Sequence, residues 1–162
     1  MAYSKILQRI RSEKTNYRKR KIMLMGKRDF ITVNVTNENT QVQIVKPEIA
    51  GDKVLASAHS RFLIKDGWKG SRKNISASYL TGYLAGKKAL SKGVTDAILY
   101  SGTRRYTDRM AAALKGVIDA GVNVPSDEES FPSDERINGE HLKVKNDVES
   151  VKSKICLLYT SD

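Results

Sequence analysis

The chain has 162 residues, 40% apolar and 29% charged, enough for one domain with a buried core. Its 29 Lys and Arg outnumber 18 Asp and Glu, and the formal charge of +11 favours polyanionic partners. No apolar run reaches the roughly 18 residues that a membrane span needs, and one cysteine with two histidines argues against a clustered zinc site.

The chain opens on its most charged segment. Residues 3–30 hold ten cationic side chains against two acids, a net +8 of the total +11. Such density repels itself unless a polyanion lies close, and a nucleic-acid backbone is the commonest one in a cell. Residues 1–28 are therefore read as an RNA-binding arm, carried by Arg9, Arg11, Lys14, Thr15, Asn16, Tyr17, Arg18, Lys19, Arg20, Lys21, Lys27 and Arg28. Only Ile22–Met25 follows the basic cluster as an apolar run, so no secretory leader is expected and the chain reads as cytoplasmic.

Two strands come next. Ile31, Val33 and Val35 alternate with polar residues through Thr36, and Gln41–Lys46 alternates again until Pro47. The turn Asn37–Thr40 joins them, and its Asn37 and Asn39 are counted among the RNA-facing residues. After the Gly51-Asp52 turn, Lys53–Ser60 places Val54, Ala56 and Ala58 on one face, which completes a three-stranded antiparallel meander.

The period then lengthens. Asn74–Gly93 carries Ala77, Leu80, Leu84 and Leu90 at helical spacing, with a small-residue stripe of Gly82, Ala85, Gly86 and Ala89 expected to lie close on a sheet. Thr95–Ser101 has the short apolar run of a buried strand. Asp108–Ala120 puts Met110, Ala113, Leu114, Val117 and Ile118 on one stripe, with Thr107 or Asp108 to cap it and Gly121 to end it. The expected fold is an α/β domain (residues 29–125) with a mixed sheet and packed helices, followed by an acidic segment over residues 126–155. The final CLLYTSD, residues 156–162, breaks the preceding polar texture and resembles the translation of a sequencing adapter; it is set aside from fold reasoning.

Catalytic chemistry finds little support. Gly82–Lys88 is one residue short of a phosphate loop, lacks the hydroxyl after lysine and falls within a helix. A meander followed by helices suggests a ribonuclease H-like sheet, yet the stretches 31–36, 41–46 and 53–60 hold no acid for magnesium. His59 and His141 are read as surface or RNA-facing groups rather than ligands. No cofactor and no metal are expected.

Two polar loops read instead like RNA contacts. Lys69, Ser71, Arg72 and Lys73 precede the first long helix, and Arg104, Arg105 and Tyr106 precede the second. Trp68 is read as packing at its loop–helix junction before it is read as stacking on a base.

Six segments together carry a resemblance: TNYRKR (15–20), GDKVLASAHS (51–60), GWK (67–69), YLTGYLAGKKA (79–89), AAALKGVIDAG (111–121) and PSDERINGEHL (132–142). In order and spacing they resemble the universal large-subunit ribosomal protein eighteen family in its archaeal form. The resemblance implies an α/β sandwich of ribonuclease H-like topology without catalytic acids. It also implies a structural, non-enzymatic role: binding 5S rRNA and seating it on large-subunit rRNA in the central protuberance of the ribosome, beside neighbouring ribosomal proteins. The loop at Gly102–Tyr106 is shorter than in some archaeal relatives, and the family's C-terminal extension is missing after Ile155.

Overall fold

A computed structural model describes residues 8–48, 51–140 and 148–159. The alternating segments form β1 (Asp29–Val35), β2 (Thr40–Lys46) and β3 (Lys53–His59), and a short β4 (Ala97–Leu99) completes a sheet of order β3-β2-β1-β4. Antiparallel pairing joins β1 to β2 and β2 to β3, while β4 runs parallel to β1. β1, β3 and β4 thus share one direction, and their carboxyl ends lie along one edge.

Alternation in these strands sends Ile31, Val33, Val42, Ile44, Ala56 and Ala58 to a common buried face. Helix α3 (Ile75–Leu90) packs on that face against β2 and β3, and also meets α4 (Asp108–Asp119) and α6 (Val148–Tyr159). Burial on nearly every side explains its apolar and small-residue composition. Asn74 caps α3 by accepting a 2.8 Å hydrogen bond from the Ala77 amide. Thr40 and Ser78 join hydroxyls at 2.8 Å between β2 and α3, so the polar atoms inside the core are paired.

Four expectations change. The strand β1 begins at Asp29, so one acid stands at the start of a strand whose alternating stretch holds none. Val54 is exposed rather than inward, because a register shift at Ile44/Val45 skips Leu55 and sets Val54 opposite Val45. The stretch 95–101 yields only three strand residues, and beyond β1 the segment meets only an isolated parallel bridge, Asp96 to Asn123, which leaves Ile98 and Leu99 half-buried. Finally, the small-residue stripe of α3 meets a helix, not the sheet. A Cβ added at Gly82 would stand 1.9 Å from the Ala113 carbonyl oxygen of α4, and one at Gly116 would stand 2.2 Å from that of Tyr79. Backbones this close demand glycine on both sides.

The C-terminal segment joins the core. Ile137 of α5 (Asp134–Asn138) and Val148, Val151 and Ile155 of α6 are buried in the same cluster as the sheet residues. α6 continues through Cys156 to Tyr159, with Leu157 and Leu158 exposed. His141 lies outside the described residues. No helix among the described residues is long and apolar enough to cross a membrane.

Candidate nucleic-acid interface

The face of the sheet turned away from α3 is polar. Thr32 and Asn34 of β1 and Gln43 of β2 point there by alternation, with Phe30 and Tyr100 stacked beside them at 5.2 Å between ring centroids. Over this face lies the arm, which forms α1 (Gln8–Arg11) and α2 (Tyr17–Met25). Neither helix buries a residue, so tertiary packing of an apolar stripe cannot be what holds them. Asn16 caps α2 through a 3.0 Å hydrogen bond from the Lys19 amide, and Arg9 Nε donates to Thr15 Oγ1 at 3.0 Å.

The anchor is Arg20. Its guanidinium carbon sits 5.6 Å from the centroids of both Phe30 and Tyr100, and its two terminal nitrogens grip the Asp52 carboxylate, one of them at 3.1 Å. The Asp52 hydrogen bond raises the Arg20 pKa above its ordinary value, against the cost of partial burial. A planar fork over aromatic rings with a bidentate carboxylate is a task for arginine and not for lysine. The preceding residue, Lys19, donates from Nζ to Ser101 Oγ at 3.4 Å.

The loop before α4 reaches the same place. Arg104 donates to Asn34 Oδ1 at 2.6 Å, across the polar sheet face. The result is an open groove of about 880 Å³ walled by the arm (Arg9, Lys14, Thr15, Tyr17), the sheet (Thr32, Asn34, Gln43) and the loop Tyr100–Arg104. Arg11, Arg18, Lys21, Lys27, Arg28, Arg105 and Tyr106 stand exposed around it or along the adjoining arm and loop.

The second basic loop makes a separate patch. Lys69, Ser71, Arg72 and Lys73 line a shallower depression with Asn37 and Glu38. Trp68 is 4% exposed and donates from Nε1 to the Ser71 carbonyl at 3.2 Å, so it packs and shapes the loop from within. Asn39 accepts from Ser60 Oγ at 3.3 Å and serves the turn itself. Arg109, which sequence reasoning passes over, donates to the carbonyls of Thr36 and Lys73 at 3.0 and 3.4 Å. It therefore ties the β1–β2 turn and the second loop to the start of α4.

Other residues take structural duties. His59 accepts at Nδ1 from the Arg61 amide at 3.1 Å and caps the 3-10 turn Ser60–Ile64. The acids of residues 126–140 do not answer the arginines of the groove. Asp134 pairs with Lys115, and Arg136 pairs with Asp108 at 3.3 Å. Among the described residues no three His, Cys, Asp or Glu side chains converge as metal ligands would. Gly82–Lys88 lies inside α3, away from any strand-to-helix loop.

Sequence reasoning also misses Asp52 and Tyr100 as partners of the arm, and Asn34, Thr32 and Gln43 as walls of the groove. The polar half of the β1–β2 alternation is the signal that could have found the last three.

Comparison with known proteins gives the family. The family described as ribosomal large subunit proteins 60S L5 and 50S L18 matches residues 2–108. Large ribosomal subunit protein uL18 of Aeropyrum pernix is 48% identical over 139 residues, which are 84% of this chain and 65% of that protein. Its counterparts in Thermofilum pendens and Methanothermobacter thermautotrophicus are 46% and 42% identical, over 84% and 86% of this chain and 70% and 74% of their own lengths. The chain thus spans a little under two thirds of the Aeropyrum protein. With a family match over most of its length and these identities, the chain belongs to the uL18 family of large-subunit ribosomal proteins.

Proposed function

We propose that the chain is a structural constituent of the large ribosomal subunit that binds 5S rRNA and attaches it to large-subunit rRNA in the central protuberance. The observation that carries this reading is the groove, where a helical arm, a polar sheet face and an arginine loop converge on one surface. Cations there position a phosphate backbone, and the amides of Asn34 and Gln43 offer donors and acceptors to base edges. The second patch at Lys69–Lys73 adds a further point of contact.

Its place of action is the cytoplasmic ribosome, with neighbouring ribosomal proteins as partners, and it works without catalysis or cofactor. The family is one of ribosomal structural proteins rather than enzymes. The sheet order β3-β2-β1-β4, with β4 parallel to β1, supports the ribonuclease H-like topology as a binding scaffold without its catalytic acids. Residues 1–28 act as the arm and residues 29–125 as the scaffold.

Copurification is the test. Tagged chain expressed in an archaeal host should sediment with intact large subunits and bind 5S rRNA transcript in preference to an unrelated structured RNA. Equal binding to both RNAs, with none in large subunits, would point to a free-standing RNA chaperone and overturn the proposal.

A further inference from the structure

An acidic residue inside a surface built to bind a polyanion should weaken it. Two acids, Asp52 and Glu48, line the groove. Glu48 makes no ion pair among the described residues, whereas Asp52 is gripped by both terminal nitrogens of Arg20. Arg20 in turn is the residue of α2 that reaches the Phe30 and Tyr100 rings. These contacts span 32 residues to Asp52 and 80 to Tyr100, so they fix the arm to the body of the domain. No residue of α2 is buried, and only Arg20 and Met23 are half-buried.

We infer that Asp52 is a positioning residue for RNA binding: it holds Arg20 on the Phe30–Tyr100 stack, docks α2 before RNA arrives, and so strengthens binding despite its charge. The inference rests on the RNA-binding reading above and assigns a role within that site. An arm helix of nine residues pinned chiefly at one side chain exchanges between docked and free states. The apparent affinity is the docked-state affinity reduced by the docked fraction. Without Asp52 the guanidinium loses the carboxylate that orients it, and the docked fraction falls. Arg20 itself is then an anchor and not a phosphate ligand. Its neighbours Arg18 and Lys21 remain to meet the backbone.

Simple electrostatics makes the opposite forecast, which gives a sharp test. Asp52→Asn, Glu48→Gln and Arg18→Ala variants of the whole chain are compared for affinity to 5S rRNA transcript across a salt series. Amide hydrogen exchange of residues 17–25 is followed without RNA. Asp52→Asn should bind on the order of tenfold more weakly, because fewer molecules hold the arm docked. Its salt slope should stay unchanged, since every phosphate ligand is still present. Its α2 amides should exchange faster while the α3 amides keep wild-type protection. Asp52→Glu should recover part of both effects. Glu48→Gln should bind slightly more tightly, and Arg18→Ala should lower the salt slope by about 0.9, the loss of one duplex phosphate contact. Asp52→Asn that binds as well as or better than wild type, or that leaves α2 exchange unaltered, overturns the inference. Wild-type chain that fails to bind the transcript overturns the RNA reading instead, and α2 exchange in Asp52→Asn then still decides whether the clamp exists.

Discussion

Arg104 donates a 2.6 Å hydrogen bond to Asn34, joining the loop before α4 to the polar face of β1 across 70 residues. That bond aims one of two adjacent arginines into the groove and leaves Arg105 exposed at its rim. Neutralising both as Arg104→Ala/Arg105→Ala should weaken RNA binding and reduce the salt slope by up to about 0.9 for each duplex phosphate they neutralise. Melting should stay within about 0.5 kcal/mol of wild type, as for other exposed sites. The competing idea, that these arginines neutralise the acidic segment, has no ion pair to support it among the described residues. It predicts an unchanged footprint on the RNA, and footprinting the double variant would separate the two.

The α3–α4 interface sets the second expectation. Gly116→Ala puts a methyl group where the Tyr79 carbonyl already stands, and Gly82→Ala does the same to Ala113. Both should destabilise by about 1–3 kcal/mol or more, since backbone atoms cannot step aside as a side chain can. Leu114→Ala, on the same helix as Gly116 and 3% exposed, should cost about 2–5 kcal/mol by leaving a cavity. Urea unfolding measures all three. A Gly116→Ala chain as stable as wild type would mean the helices are further apart than the structure places them.

An alkaline limb should trace to Tyr79. Burial first, then its 2.7 Å hydrogen bond to Asp119, raises the Tyr79 pKa above its ordinary 10.0. A raised folded pKa means that the folded state keeps a proton that the unfolded chain releases. The stability this supplies is complete below pH 10 and is lost as pH climbs past that value. Tyr83, shifted the same way chiefly by burial, adds to the limb. Tyr79→Phe should cost about 0.5–1.5 kcal/mol at neutral pH through the missing hydrogen bond. It should also flatten the decline in stability above about pH 10, read from denaturant midpoints over roughly pH 8–11. An equally steep decline in the variant would remove Tyr79 from the account.

Much of this architecture is legible from periodicity. Apolar residues two apart mark β1, β2 and most of β3, and the Met110–Val117 stripe marks α4 to within a residue. What escapes depends on pairings distant in sequence. Nothing local to Val54 announces a register shift against the partner strand, and nothing local to Gly82 says whether a sheet or a helix will approach it. The site divides likewise. Charge density exposes the arm and both loops, because repulsion is a property of composition. The clamp on Arg20 needs Asp52 and Tyr100, residues that look ordinary in their own segments.

Removing the arm separates its two duties, docking on the domain and meeting RNA. Deletion of residues 1–21 takes away α1, about half of α2 and the Arg20 anchor, yet no described residue in that stretch is buried. The core of Ile31, Ile44, Leu80 and Val117 lies wholly in what remains. The truncated chain should therefore keep its cooperative unfolding, with stability lowered on the order of 1–2 kcal/mol by loss of the half-buried Arg20–Asp52 pair and of the cation stacked on Phe30 and Tyr100. RNA binding should fall steeply, and the salt slope should drop by about 0.9 for each duplex phosphate the arm had met. Asp52, freed of its partner, then adds repulsion at the groove, so Asp52→Asn should partly restore affinity in the truncated chain while weakening it in the intact one. That reversal of sign is the signature of an acid whose value lies in what it holds. Truncated chain with an unchanged salt slope would show that residues 1–21 meet no phosphates.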